Sequence, residues 1–196
     1  MYNKKYYDSN DVIASISKLT YDIVSNVSPD VENHYLPHAV DPDVFRPRSK
    51  EEVQEFKEAM FPEEDNERFT FFWNNRNARR KQSGTLIYWF NEFAEKVGPD
   101  NVRLIMHTDP TDTHGQNLVE IMETINATDN RILLSDQKIP PDALAQMYNI
   151  ADCTINISDA EGFGLATLES LSSGVPIIVT MTGGLQEQVT DGEEWF

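Results

Sequence analysis

Cysteine is almost missing from this sequence. Its 196 residues hold one, Cys153, so no disulfide can close within the chain, and the apolar run ADCTINI around it marks it as a core residue. A lone thiol fits a reducing compartment, and a cytoplasmic location is expected. Long apolar runs are missing as well. No stretch approaches the roughly 18 uninterrupted apolar residues of a membrane helix, so no transmembrane segment is expected. The opening MYNKKYYDSND lacks the apolar centre of a secretory signal. Basic residues are scarce: 16 Lys plus Arg stand against 33 Asp plus Glu, a formal net charge of -17. So acidic a surface repels nucleic acid and anionic membranes, and no nucleic acid is expected as a partner. The exception is local. Arg76, Arg79, Arg80 and Lys81 gather four cations within six residues, a patch suited to a small anionic ligand.

What is present has the make-up of a globular protein, with 39% hydrophobic and 25% charged residues. DVIAS, from Asp11, reads as a short strand followed by a helix that stops at Val27-Ser28-Pro29. HYLPHAVDPDVFRP, with three prolines, reads as a short strand running into an ordered crossing segment. Val53, Phe56 and Met60 give residues 50–60 one apolar stripe, the mark of a surface helix. Strands are then expected at residues 69–73, 102–106, 131–134, 153–157 and 175–180. The helices between them are TLIYWFNEFAEKV, residues 116–126, a segment from Pro140-Pro141-Asp142 through Tyr148, and residues 164–172. Trp73, Tyr88, Trp89 and Phe93 read as core and helix-face aromatics.

Strands alternating with helices specify βαβ units, hence an α/β Rossmann-like parallel sheet with helices on both faces. Ligands of such sheets lie beyond the carboxyl ends of the strands, which selects the loops at residues 74–83, 107–115 and 158–164. Residues 46–196 carry this domain. Residues 1–45 are too few for a core of their own and read as the remnant of a second domain. A last helix is expected to begin near Gly184, and DGEEWF stops where a further helix is expected, so the main domain reads as truncated.

The segment SDAEGFGLATLESLSSGVPIIVTMTGG concentrates the chemistry. Glu161 precedes Gly162-Phe163-Gly164, so a carboxylate sits on a loop whose glycines allow close backbone approach. The following helix offers free N–H groups at Gly164 and Leu165, a seat for phosphate. Glu169 lies further along that helix. Carboxylates repel phosphate, so Glu161 and Glu169 suit neutral hydroxyls, those of ribose and hexose.

Glu161 and Glu169 with seven residues between them, GFG among these, and GVPII with a later Gly-Gly behind them, resemble the retaining two-Rossmann-domain (GT-B) glycosyltransferases, family 4-like, of glycosyl transferases group 1. Arg76 and Lys81, after the strand at 69–73, are similar to the family's diphosphate-clamping Arg and Lys. Asn74-Asn75 stands where the family carries a glycine. PHAVDPDVFRP resembles its interdomain crossing segment. The resemblance implies that most of this chain is the C-terminal, donor-binding domain and that residues 1–45 belong to the N-terminal, acceptor-binding one, whose remainder activity needs.

By that resemblance Glu161 contacts donor-sugar hydroxyls, Glu169 holds the ribose, and Arg76 and Lys81 neutralise the diphosphate. The N–H groups along Gly162, Phe163, Gly164 and Leu165 support it. No cofactor and no metal are implied, and the chain shows neither HExxH nor paired Cys. The implied reaction moves a hexose from a UDP-, GDP- or ADP-sugar to a hydroxyl of a glycan, lipid or small-molecule acceptor, with anomeric configuration kept. Two other readings stay open: a nucleotide- or sugar-binding fragment without turnover, and another enzyme on the same fold, an epimerase or a phosphorylase.

Overall fold

In the larger part of the molecule, short apolar runs between polar turns become strands, and the periodic segments between them become helices. The computed structural model describes residues 2–61 and 67–189. In chain order its elements are α1 (Tyr2–Tyr7), β1 (Val12–Ser15), α2 (Lys18–Val27), β2 (Glu32–Tyr35), α3 (Lys50–Met60), β3 (Phe69–Asn74), α4 (Ser83–Val97) and β4 (Val102–His107). Then come α5 (Leu118–Thr124), β5 (Ile132–Ser135), α6 (Pro141–Ile150), β6 (Cys153–Asn156), α7 (Leu165–Ser172) and β7 (Ile177–Val179). The chain divides into two compact units. One comprises Val40–Asp159 with Ala166–Thr180, the other Met1–Ala39, Ala160–Leu165 and Met181–Phe196.

The larger unit is built on a five-stranded parallel sheet of order β5-β4-β3-β6-β7. Because successive side chains alternate across a strand, each central strand feeds two cores. Trp73, Leu104 and Met106 pack with Leu86, Ile87, Phe90 and Ala94 of α4 and Leu118 of α5. Phe72 and Ile105 pack on the other side with Ala145, Met147 and Tyr148 of α6 and with Phe45. Full burial of each such side chain contributes about 1.5–3 kcal/mol. The expected α/β Rossmann-like sheet with helices on both faces is therefore the one observed.

Local signals fix the helix ends. Ser49 and Glu52 form a reciprocal capping box on α3. Asn117 accepts the Glu120 N–H at the start of α5, Pro141 occupies the first turn of α6, and Gly98 closes α4 with φ 98°. The short helix α7 is seated by hydroxyls as much as by apolar contact. Thr154 and Ser170 share a hydrogen bond of 2.6 Å, and Asn156 Nδ2 donates to Thr167 Oγ1 at 3.1 Å, all four side chains being buried.

The smaller unit pairs β1 with β2 in parallel, with α2 as the crossover. Asn33 ties it together: its amide donates to the Tyr21 carbonyl and Ser25 Oγ, and its carbonyl oxygen accepts from Ser15 Oγ. Glu187 bridges the rest. Its carboxylate accepts the free N–H groups of Lys18 and Leu19 at the start of α2 and, at 2.9 Å, the hydroxyl of Tyr35.

Three details depart from the sequence expectations. Residues 2–7 are helical although YNKKYY has no apolar stripe. The strand expected over 175–180 is confined to Ile177–Val179, since Pro176 has no N–H to give to a ladder. Tyr88 and Trp89 lie outside the core, 46% and 62% exposed, because Leu86, Ile87, Phe90 and Ala94 already occupy the buried side of α4. The expected last helix begins as a 3-10 turn at Gly183–Glu187, and DGEEWF lies outside the described residues.

Candidate functional site

Parallel strands bring their carboxyl ends to one edge of the sheet. In register there are Asn74 of β3, His107 of β4 and Ser135 of β5. His107 Nδ1 and Ser135 Oγ are 2.9 Å apart, and burial pushes the His107 imidazole below its ordinary pKa.

The loop after β3 is pinned by Asn77, which is fully buried. Its amide donates to the Gln116 carbonyl at 2.7 Å, while its carbonyl oxygen accepts from Ser83 Oγ at 2.7 Å and from the Gln116 N–H at 3.3 Å. Gly115 permits this, since a Cβ there would stand 2.2 Å from Asn77 Oδ1. One asparagine thus fixes the loop after β3 to the loop after β4.

On that frame Arg76 and Lys81 take different partners. Arg76 is exposed and grips Asp112, Nε to Oδ2 at 2.6 Å and Nη2 to Oδ1 at 3.3 Å. The Arg76 guanidinium and the His114 N–H hold the Asp112 carboxyl well below the usual carboxylate range. Lys81 is buried, with Nζ 2.6 Å from Asn75 Oδ1. Arg79 and Arg80 are exposed; the Arg80 carbonyl accepts the Asp159 N–H, and Gln82, in the left-handed region at φ 57°, donates to the Asp159 carboxylate at 2.6 Å.

Glu169 projects from α7 into a partly buried position. Burial raises its pKa, against which the Tyr148 hydroxyl, donating at 2.7 Å, and the Asn74 amide, at 3.4 Å, favour the charged form. Burial, and then the Glu169 charge, hold the Tyr148 phenol well above its ordinary value, so it stays a donor.

Glu161, Gly162, Phe163, Gly164 and Leu165 belong to the smaller unit. The Glu161 side chain is buried and its carbonyl accepts the Gly184 N–H at 3.0 Å. Gly183-Gly184 makes this approach possible. Gly183 has φ 52° and a Cβ there would meet the Glu161 carbonyl oxygen at 1.8 Å; a Cβ at Gly184 would meet the Gly162 oxygen at 2.5 Å. Gly164 also needs to be glycine, with φ 94° and Leu185 2.4 Å from any Cβ, whereas Gly162 has room. Phe163 is buried with its ring edge-on to His38, and its carbonyl accepts from Gln188 Nε2 at 2.6 Å. Leu165 is 43% exposed at the start of α7.

Within the larger unit, then, the strand end at Asn74 joins the half-buried Glu169 carboxylate to a loop carrying two cations. Asn74, Asn77, Asp112 and Tyr148 were missed as functional residues by the sequence reading, as was Gln188 in the smaller unit, because their roles come from partners far along the chain. Cys153 is buried, and burial pushes its thiol up, in keeping with a core residue. Among the described residues no group of three or more His, Cys, Asp or Glu is placed to hold a metal ion, and no helix is long and apolar enough to cross a membrane.

The family described as Glycosyl transferases group 1 matches residues 55–196. In sequence the chain is 46% identical over 55 residues to D-inositol 3-phosphate glycosyltransferase of Acidothermus cellulolyticus, a stretch covering 28% of this chain and 12% of that protein. In structure it is similar to sucrose-phosphate synthase from Thermosynechococcus elongatus, with TM-score 0.75, 22% identity and coverage of 95% of this chain and 45% of that one. It is also similar to HepE of Anabaena, solved in complex with UDP and glucose, with TM-score 0.72, 17% identity and coverage of 92% and 46%. The chain therefore covers less than half the length of these solved relatives, and the stretch matched to the D-inositol 3-phosphate glycosyltransferase covers about one eighth of that protein.

Two outcomes follow from this geometry. Gly183→Ala is expected to lower unfolding free energy by about 1–3 kcal/mol, through the strained φ and the clash with Glu161, while Gly162→Ala stays within about 0.5 kcal/mol of the parent; urea denaturation measures both. Glu169→Gln is expected to gain stability relative to the parent as pH rises. The raised Glu169 pKa means that the folded state holds its proton longer than the unfolded chain, so the parent loses stability between the ordinary carboxylate pKa and the raised one. Denaturation of both proteins across that window reads the sign.

Proposed function

This chain belongs to the Glycosyl transferases group 1 family, and on that premise we propose that it is the donor-binding part of a retaining glycosyltransferase. The reaction moves a hexose from a nucleoside diphosphate sugar to an acceptor hydroxyl with anomeric configuration kept. The observation that carries this reading is at the end of β3: Asn74 reaches the Glu169 carboxylate, and the next residues of the chain bring Arg76 and Lys81 on a loop pinned by Asn77. A nucleoside diphosphate needs those two functions, an acceptor for ribose hydroxyls and cations for the phosphates.

In this account Glu169 takes the ribose and Glu161 the hydroxyls of the transferring sugar. The bond between the anomeric carbon and the diphosphate oxygen breaks through an oxocarbenium-like transition state, and the electron pair leaves with the diphosphate. Arg76 and Lys81 stabilise the charge that builds on that oxygen, with help from the N–H groups of Gly164 and Leu165. Those cations carry the part a metal ion plays elsewhere, so we infer metal-independent transfer. The acceptor hydroxyl bonds to the anomeric carbon on the face the diphosphate leaves and passes its proton to the departing diphosphate oxygen, which holds the electron pair of the broken bond. We assign no protein nucleophile.

Asp112 has a defined place in this account. Its two oxygens on the Arg76 guanidinium stand in for phosphate oxygens, and a diphosphate has to displace them. Domain assignment follows the same reading: residues 46–196 serve the donor and residues 1–45 belong with the acceptor side. Acceptor recognition is placed largely outside these 196 residues, which supports an activity that depends on further protein. Cytoplasmic action on a soluble nucleotide sugar completes the proposal.

Calorimetric titration with UDP, GDP and ADP tests it. One nucleotide is expected to bind saturably and without regard to chelator, with Arg76→Ala and Glu169→Ala each weakening it about tenfold or more and Asp112→Asn tightening it. Failure of the folded chain to bind any of the three would contradict the proposal.

A further inference from the structure

Both donors that reach Glu169 converge on one of its two oxygens. Tyr148 Oη donates to Oε2 at 2.7 Å, and Asn74 Nδ2 reaches the same Oε2 at 3.4 Å. The same amide lies 3.0 Å from Tyr148 Oη, so the three side chains close a triangle that leaves Oε1 outside it. Each member has one role it can fill. The phenol has a single proton, committed to the carboxylate, and so accepts from Asn74. The Asn74 amide must present its nitrogen, because its carbonyl oxygen would face two acceptors.

Packing makes the triangle rigid. Tyr148 is 1% exposed, and its ring sits edge-on to Phe72 at 5.1 Å and to Phe45 at 6.1 Å between centroids. Asn74 ends a central strand that pairs with β4 along its length, Asn74 included, and with β6 at Phe71 and Phe72. A glutamate carboxyl otherwise turns freely about its last torsion. Here the turn exchanges Oε1 and Oε2 only by breaking the bond from Tyr148.

We propose that Tyr148 and Asn74 are positioning residues which saturate Oε2 of Glu169 and present Oε1 to a ribose hydroxyl, making the site selective for ribonucleotides over their deoxy counterparts. This rests on the reading of Glu169 as the ribose ligand. A carboxylate held in one orientation, partly out of water, bonds a hydroxyl placed for it and is left short of a partner when that hydroxyl is missing. The burial that lifts the Tyr148 phenol keeps it a donor throughout the working pH range.

The test compares the best-bound of UDP, GDP and ADP with its 2′-deoxy and 3′-deoxy forms, by calorimetry on the 196-residue chain and on Tyr148→Phe and Asn74→Ala. The parent is expected to prefer the ribonucleotide over at least one deoxy form by about tenfold or more, the equivalent of one hydrogen bond to a charged group. In both variants that preference is expected to fall within about twofold, with affinity for the deoxy form and for inorganic pyrophosphate unchanged. A purely structural role would weaken all ligands alike and leave the ratio in place. Variants with parental melting temperatures and an intact ratio would overturn the positioning role while leaving the donor site standing. A parent that binds the nucleotide without preference would overturn the ribose assignment together with the positioning. A parent that binds no nucleotide would overturn the donor site itself. If Tyr148→Phe fails to fold, Asn74→Ala, altered at a less buried position, carries the same comparison.

Discussion

Taking a carboxylate out of water is costly unless donors replace its lost hydration, and the larger unit meets that demand at Glu169 with the Tyr148 hydroxyl and the Asn74 amide. The arrangement ties together elements distant in sequence. Asn74 ends β3, Tyr148 belongs to α6, and Glu169 to α7, so the position of one carboxyl depends on the sheet, on the helix that covers Phe72, and on the short helix seated by Thr154, Asn156, Thr167 and Ser170. A site built in this way is held by the scaffold and not by a mobile loop.

The Glu161 loop obeys a different constraint, one of backbone space. Two stretches of main chain, Glu161 to Phe163 and Gly183-Gly184, approach so closely that side chains cannot stand between them. Gln188 and the Gly184 N–H then use the carbonyls that this approach brings within reach. Hydrogen bonds orient the carboxylate of Glu169. Steric exclusion orients the backbone that carries Glu161. The cations follow a third rule, in which a buried asparagine pins their loop and a carboxylate, Asp112, occupies the exposed guanidinium of Arg76.

Much of this was legible in the chain. Strands such as those at 102–106 and 153–157 are near-continuous apolar runs, and their burial on both faces is what such runs require. The helix at residues 2–7 has no apolar period to reveal it, and which aromatics of α4 belong to the core and which to its face is settled only by the neighbours that fill its buried side. Spacing and resemblance single out Glu169, Arg76 and Lys81 in the larger unit, and Glu161 in the smaller one, as candidates. In the sequence Tyr148 marks only the end of a helix and Asn74 a departure from a family glycine, since no local pattern says that both end on the same carboxylate. Asn77, Asp112 and Gln188 escaped for the same reason: long-range hydrogen bonds leave no periodic trace. The Gly183-Gly184 pair is visible as the start of a last helix, but what it packs against is not.

The most direct measurement is a crystal structure of the chain bound to the nucleoside diphosphate it favours. The account predicts phosphate oxygens on Arg76 and Lys81 with Asp112 displaced, and a ribose hydroxyl within hydrogen-bond distance of Glu169 Oε1 while Tyr148 keeps Oε2. A nucleotide seated away from the carboxyl end of β3, or an Arg76–Asp112 pair left intact beside the bound phosphates, would contradict it.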